Sequence, residues 1–483
     1  MNVFKSFQSR SMVGIARCDI TPPTGIYHRM WGAATHDQST GLHRPLTATV
    51  LFQQSFAERP SLRHVSIAVD HCLLWTEEMN QLLDKLSAHA NIERESLTVF
   101  FTHTHGAGLM GLERQELPGG NWIPEYLVNL AKILTESIED ARRNMTAATT
   151  VYAVGRCSLA VNRDFLDESR GQYVCGFNPE GATDDTVIVG LITSDAGTRL
   201  ATIVNYACHP TTLAWENTLI SPDYVGALRE VLETQTGCPC FFIQGASGDI
   251  SPREGYVGDV AVADRNGRQL GYAALSALES LSPPTQQFEY AGPVVSGATL
   301  GTWKYVPLTA TQKRQCEHWT EIRTLVPLDY RTDLPNRLDL ENDLIAARAA
   351  EQKSIAEGNC TGIRDARAMV ERATRGLIRV GQLPEGKAYP FPLVVWKIGD
   401  AVWIALDGEH YNLLQRILRE RFPDVILIIG TLANGSNVWY LPDSESFGKG
   451  LYQEDASILA KGCLETTIEA ATLAIRNAID SKS

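Results

Sequence analysis

Short runs rich in β-branched and aromatic residues alternate along the chain with stretches whose apolar residues recur every three or four positions. The runs TATVLF (47–52), VSIAVD (65–70), LTVFF (97–101), TVIVGLI (186–192), ATIVNYA (201–207), CFFIQG (240–245) and VILIIG (425–430) predict strands. VVWKIGDAVWIAL predicts a hairpin about Gly399-Asp400. Helical spacing puts Met79, Leu82, Leu83 and Leu86 on one face after Thr76, and Leu127, Leu130, Leu134, Ile138 and Ala141 on one face after Pro124. In SPDYVGALREVLET, Ser221 and Pro222 read as cap and first turn ahead of Val225, Leu228 and Leu232. Ile468, Ala471, Ile475 and Ile479 stripe a last helix. The pattern predicts an α/β fold, a mixed β-sheet core flanked by helices. Between about 286 and 388 the texture turns polar and charged, as in LDLENDLIAARAAEQKSIAEG, and predicts a helical insertion or lid. No internal repeat or low-complexity linker divides the chain, so residues 1–483 read as a single domain carrying that insertion.

Composition narrows the class of function. With 483 residues, 44% of them hydrophobic and 20% charged, the chain has the material for a large catalytic core. A net charge of -13 without a long basic run argues against nucleic acid or an anionic membrane surface as the main partner. No run of about 18 apolar residues is present, so stable membrane insertion is not expected. The opening MNVFKSFQSRSMVG lacks the apolar segment of a signal peptide, and the expected compartment is cytoplasmic, with the ten cysteines reduced. Cys238 and Cys240 read as buried apolar filler rather than metal ligands. Oligomeric state stays open, with a homo-oligomer among the alternatives.

Chemistry-bearing residues gather at the ends of the predicted strands, where open sheets build their sites. LTVFF runs into His103 and His105, ATIVNYA into Cys208-His209-Pro210, and CFFIQG into the turn that holds Asp249 and Ser251. The hairpin ends at Glu409, and VILIIG leads on to Tyr440 and Tyr452. Along a strand, residues i and i+2 face one way, so His103 and His105 can converge. Two histidines and one glutamate form a catalytic zinc set, and His103, His209 and Glu409 would supply it from three strand ends. Zinc acidifies water to a pKa of about 7, which makes hydrolysis the natural chemistry.

In their order along the chain these segments resemble the neutral, non-lysosomal ceramidases. The resemblance rests on THTHGAG (102–108), Asn162-Arg163, NYACHPTTL (205–213), Leu219-Ile220-Ser221-Pro222-Asp223, QGASGDISP (244–252), Gly408-Glu409, and Leu432-Ala433-Asn434 leading to Tyr440. Asp19-Ile20-Thr21-Pro22 and GLHRPLTA (41–48) resemble the start of that family. The resemblance implies a neutral-ceramidase-like catalytic domain in which His103, His209, Glu409 and Tyr440 ligate zinc. It also implies that His105, Arg163 and Tyr452 contact the scissile amide and its substituents, and that Ser251 holds the catalytic serine position. The twelve-residue spacing of Tyr440 and Tyr452 agrees with that alignment.

The implied function is zinc-dependent hydrolysis of a carboxylic amide in a small-molecule or lipid-like N-acyl substrate. Gly106-Ala107-Gly108 stands where ceramidases carry Ser and Pro after HTH, Arg253 where they carry Asn, and Asp407 where they carry Pro. The secretion signal and extra C-terminal domain of those enzymes are not seen either. The chemistry therefore transfers better than ceramide itself. The residues leave alternatives open. His105 could orient His103, Arg163 could pair with Asp164, Ser251 could cap a helix and Tyr452 could be core packing. An ester or lactone would suit the same zinc site, a metal-free route would use Ser251 as nucleophile, and a non-catalytic ligand-binding protein would keep the fold alone.

Overall fold

The computed structural model of the protein describes residues 3–56 and 62–481. Eight strands form the larger sheet: β1 Phe7–Asp19, β2 Thr47–Gln54, β3 Arg63–Val69, β4 Leu97–Phe101, β5 Thr146–Arg156, β6 Thr186–Ser194, β7 Arg199–Tyr206 and β8 Cys240–Gln244. Their order in space is β8-β7-β6-β5-β1-β2-β3-β4, antiparallel except for the outer pairs β8/β7 and β3/β4. A second sheet stacks β9 Trp319–Asp329, β10 Ala388–Ile398, β11 Ala401–Leu406 and β12 Ile426–Gly430 in chain order, with β11 and β12 parallel. The runs read as strands from the sequence are β2, β3, β4, β6, β7, β8 and β12. The hairpin turns at Gly399-Asp400, since Ile398 pairs with Ala401.

Side-chain alternation explains the layering. In β2, Ala48, Val50 and Phe52 enter one core cluster while Leu51 enters the cluster on the opposite face. In β12, Ile426 and Ile428 face the larger sheet, whereas Leu427 and Ile429 face away from it. Helices α1 Thr76–Ala90 and α2 Ile123–Arg143 cover one half of the larger sheet's outer face, and α3 Tyr224–Thr236 with α4 Val260–Leu278 covers the other. Strands buried on both faces are the reason several runs read as almost continuously apolar.

The expected cap of α3 lies two residues further on. Asp223, held at φ 53°, is the N-cap, and its carboxylate accepts the N–H groups of Tyr224 (2.6 Å) and Leu213 (2.8 Å). Ser221 instead receives the N–H of Asp223 (3.0 Å) and hydrogen-bonds His43 Nδ1 (2.9 Å).

The segment 286–388 is only partly helical. Helices α5 Ala310–Glu317, α6 Arg337–Ala356 and α7 Cys360–Gly381 are interspersed with strands Gln286–Ser296 and Ala298–Pro307 and with β9 itself. These strands are solvent-exposed along much of their length and carry apolar residues on exposed as well as covered positions, so no clean alternation reaches the sequence. Helices α8 Leu413–Arg421 and α10 Cys463–Asp480 close the far face of the second sheet, and the short helix α9 Tyr452–Ala456 lies between them in the chain. All ten cysteines are unpaired. Among the described residues no helix is long and apolar enough to cross a membrane.

Strands β4, β8 and β12 meet at Gly430. A Cβ there would stand 2.3 Å from the Phe100 ring and 3.0 Å from Ile243. Gly430→Ala is therefore expected to cost about 1–3 kcal/mol by overpacking, read as a lower urea midpoint at unchanged slope.

Candidate active site

His103 is set by the end of β4. Asp70, just past β3, accepts from Thr102 Oγ1 (3.1 Å) and from Arg229 of α3 (2.5 Å), and the N–H of His103 reaches the carbonyl of His71 (2.9 Å). The chain then turns with His103 at φ 66°, a region that non-glycine residues enter only when the surroundings force them. His103 and His105 do face one site, though past the strand end rather than along it. Gly106 and Gly108 follow because the backbone is crowded. A Cβ at 106 would lie 2.6 Å from the Ser221 carbonyl oxygen, and one at 108 would lie 2.6 Å from that of Tyr27.

The other groups arrive from neighbouring strand ends. His209 follows β7, and its N–H is held by the carbonyl of Ile250 (3.0 Å). Glu409 and Tyr440 sit opposite each other in a short parallel pair, Glu409–His410 with Tyr440–Leu441. Asp407 holds the approach to Tyr440 by accepting from the Asn437 N–H (2.8 Å), the Asn437 amide (2.9 Å) and the Tyr389 hydroxyl (3.1 Å). Burial pushes its carboxyl up to about 6.

His103 Nε2 lies 3.2 Å and His209 Nε2 3.8 Å from Glu409 Oε2, and all three side chains are buried. Each imidazole donates its Nδ1 proton to a backbone carbonyl, His103 to Cys72 (2.8 Å) and His209 to Ser247 (3.3 Å). In the neutral tautomers two Nε2 lone pairs and a carboxylate oxygen thus converge. A bound cation or an extra proton reconciles them. With protein groups alone, burial opposes charge on His103, but Cys72 and Glu409 outweigh it and its pKa is raised well above the usual value. Burial, with Arg163 and His103 adding to it, holds His209 well below the usual value.

The donor set fits a metal. A tetrahedron with bonds of about 2.0–2.1 Å has edges of about 3.3 Å, close to the separations observed here. The three donor atoms lie within 4.8 Å of one another, and a second such group is Cys72, His103 and His105. Tyr440 adds a hydroxyl on the Glu409 side, where Glu409 hydrogen-bonds it and Arg163 Nη2 donates to it (3.2 Å).

The structure brings His105 and Arg163 to the same place. His105 Nε2 is 3.1 Å from His209 Nε2, and Arg163 also donates to the Gly248 carbonyl (2.6 Å) and lies over the Tyr440 ring at 5.7 Å. Tyr452 sits edge-on to Tyr440 with ring centroids 5.7 Å apart, and is half exposed rather than packed in the core. Ser251 lies on the short strand Ile250–Pro252, next to the residue that anchors His209. It caps no helix, and its buried Oγ has no hydrogen-bond partner among the described residues.

Several neighbours lay beyond sequence reasoning. Trp31 packs against His105 (5.1 Å) and is met edge-on by Trp215 (6.3 Å) and Tyr256 (5.9 Å), which makes an aromatic flank. Arg375 of α7 donates to the Met30 carbonyl (2.5 Å), and its charge, after burial and His103, holds the His105 pKa low. No spacing signals these residues, because they come from a loop and an inserted helix.

The family profile "Neutral/alkaline non-lysosomal ceramidase, N-terminal" matches residues 11–258, just over half of the chain. The protein belongs to that family. The matched span holds His103, His105, Arg163, His209 and Ser251, and hydrolysis of amide bonds is the chemistry of neutral/alkaline ceramidases. The fold is similar to that of neutral ceramidase from Pseudomonas aeruginosa, with a TM-score of 0.60, 16% identity, and 99% of this chain and 75% of that one covered. It is equally similar to a structure titled "Ceramidase complexed with C2" (TM-score 0.62, 16% identity, 99% of this chain and 77% of that one covered). No curated protein sequence matches the chain significantly.

Proposed function

We propose that the protein is a zinc-dependent hydrolase that cleaves the carboxylic amide of an N-acyl substrate, and that this substrate need not be ceramide. The observation that carries the reading is the convergence of His103 Nε2, His209 Nε2 and Glu409 Oε2, with both imidazoles oriented through Nδ1. His103, His209, Glu409 and Tyr440 would hold the zinc. When bound, the ion supplies Lewis acidity toward a carbonyl and acidifies water.

The chain's own residues do the rest. Arg163 and His105 stand beside the ligands as donors toward an oxyanion, and Arg163 is fixed by Gly248 and Tyr440. Trp31, Trp215 and Tyr256 exclude water along one flank, where an acyl chain gains by burial. Ser251 positions water or the leaving group. A nucleophilic role needs a base in hydrogen-bond reach, and the lack of any partner for its Oγ among the described residues speaks against an acyl-serine route. Matched N-acyl amides, esters and lactones of one chain length test the reading. Amide cleavage lost on chelation is the expected result, and cleavage confined to esters and lactones would overturn it.

A further inference from the structure

We propose that the cleaved amide carries a carboxylate, and that Arg379 on α7 recognises it at the mouth of the site. This deepens the amide-hydrolase reading and rests on it for the scissile bond. The guanidinium of Arg379 lies over the ring of Trp439, 4.3 Å from its centroid, and Trp439 is the residue directly before Tyr440. The neighbouring Tyr452, half exposed, meets Tyr440 edge-on. Arg379 thus stands against the residue that precedes Tyr440, with Tyr452 close enough to interact with its charge.

Its charge has little to balance it. Nη1 donates to the carbonyls of Ala456 (2.7 Å) and Asp455 (3.3 Å), while Nε is sealed from solvent with no hydrogen-bond partner. Among the described residues Arg379 forms no ion pair. The carboxylate of Asp455 is taken by Arg372 at 2.8 Å, and Glu371 is shared by Arg114 and Arg375. Burial, then the charges of Arg375 and Arg372, pull the Arg379 guanidinium down to about 10. A partly buried cation without a counter-ion is a standing site for an anion. In a chain of net charge -13, Arg163 and Arg379 stand near this site with no ion pair among the described residues, while Arg375 is paired with Glu371. That field favours an anionic substrate over a neutral one. A guanidinium's flat fork of donors matches a carboxylate.

The test uses N-lauroylglycine and the neutral N-lauroylethanolamine as paired probes. Binding is measured by calorimetry on the full chain carrying Glu409→Gln, to stop turnover, with and without Arg379→Gln or Arg379→Lys. Hydrolysis of both probes is followed on the chain with Glu409 intact. At least tenfold tighter binding of the carboxylate probe is expected, with the ratio collapsing in Arg379→Gln and largely kept in Arg379→Lys. Equal affinities, or a ratio untouched by Arg379→Gln, would overturn the proposal. If Arg379→Gln fails to fold, the Arg379→Lys chain and the unsubstituted pair still give the ratio. Preferential binding without cleavage of either probe would sink the amide-hydrolase reading while sustaining the carboxylate site.

Discussion

Replacing Glu409 with alanine is expected to remove the metal and to lower kcat/KM on the best amide substrate by at least about a thousandfold, equivalent to about 4 kcal/mol of transition-state stabilisation. Glu409 Oε2 is the carboxylate oxygen that faces both Nε2 atoms, at 3.2 and 3.8 Å. Without it, two neutral imidazoles and a tyrosine remain in a buried site, too little negative charge to hold a divalent cation tightly. The protein should nevertheless stay folded, because removing the carboxylate also removes a buried charge. Near-wild-type activity in a metal-loaded, folded Glu409→Ala protein would refute the assignment of Glu409.

The largest expected effect on stability lies at Glu371. Arg114 is 2% exposed and makes a two-pronged pair with it (2.9 and 3.2 Å), and Arg375 donates to the same carboxylate at 2.7 Å. Glu371→Ala strands Arg375 inside the protein and leaves Arg114 with Glu113 (3.2 Å) in place of its two-pronged partner. The expected cost is about 3–5 kcal/mol, read from the urea midpoint. Acid should act on the same group. Burial opposes ionisation of Glu371, but Arg375 and Arg114 prevail and bring its carboxyl down to about 2 from 4.5. A depressed pKa stabilises above the unfolded value and is lost as pH falls. This contribution of about 3 kcal/mol is therefore complete above pH 4.5 and disappears between pH 4.5 and 2. Glu371→Gln should flatten that part of the stability profile, and an unchanged profile would show that the arginines are compensated elsewhere.

The readable parts of the fold are those where one physical requirement dominates. β4, β8 and β12 are buried on both faces, so their apolar runs stand out. The helix stripes survive because each covers a sheet on one side only: Met79, Leu82, Leu83 and Leu86 all enter the core. β9 and the strands of 286–307 expose apolar residues such as Val295, Trp303 and Leu325 beside polar ones, so no one-sided alternation marks them as strands. The site follows the same logic. His103, His209 and Glu409 lie two or three residues beyond the ends of β4, β7 and β11, where type and position can be read together, and Tyr440 pairs with Glu409. Trp31, Arg375 and Arg379 reach the site from a loop and from α7, so only the tertiary structure brings them there. The glycines after His105 make sense only beside Ser221 and Tyr27, whose carbonyls leave no room for a Cβ.

The most direct test of the account is the metal content of the purified protein by elemental analysis, with N-acyl amide hydrolysis assayed in the same preparation before and after chelation. The account predicts about one zinc per chain, amide cleavage abolished by chelation and restored by zinc, and both lost in His103→Ala. A metal-free protein that still cleaves amides would contradict it and return attention to Ser251.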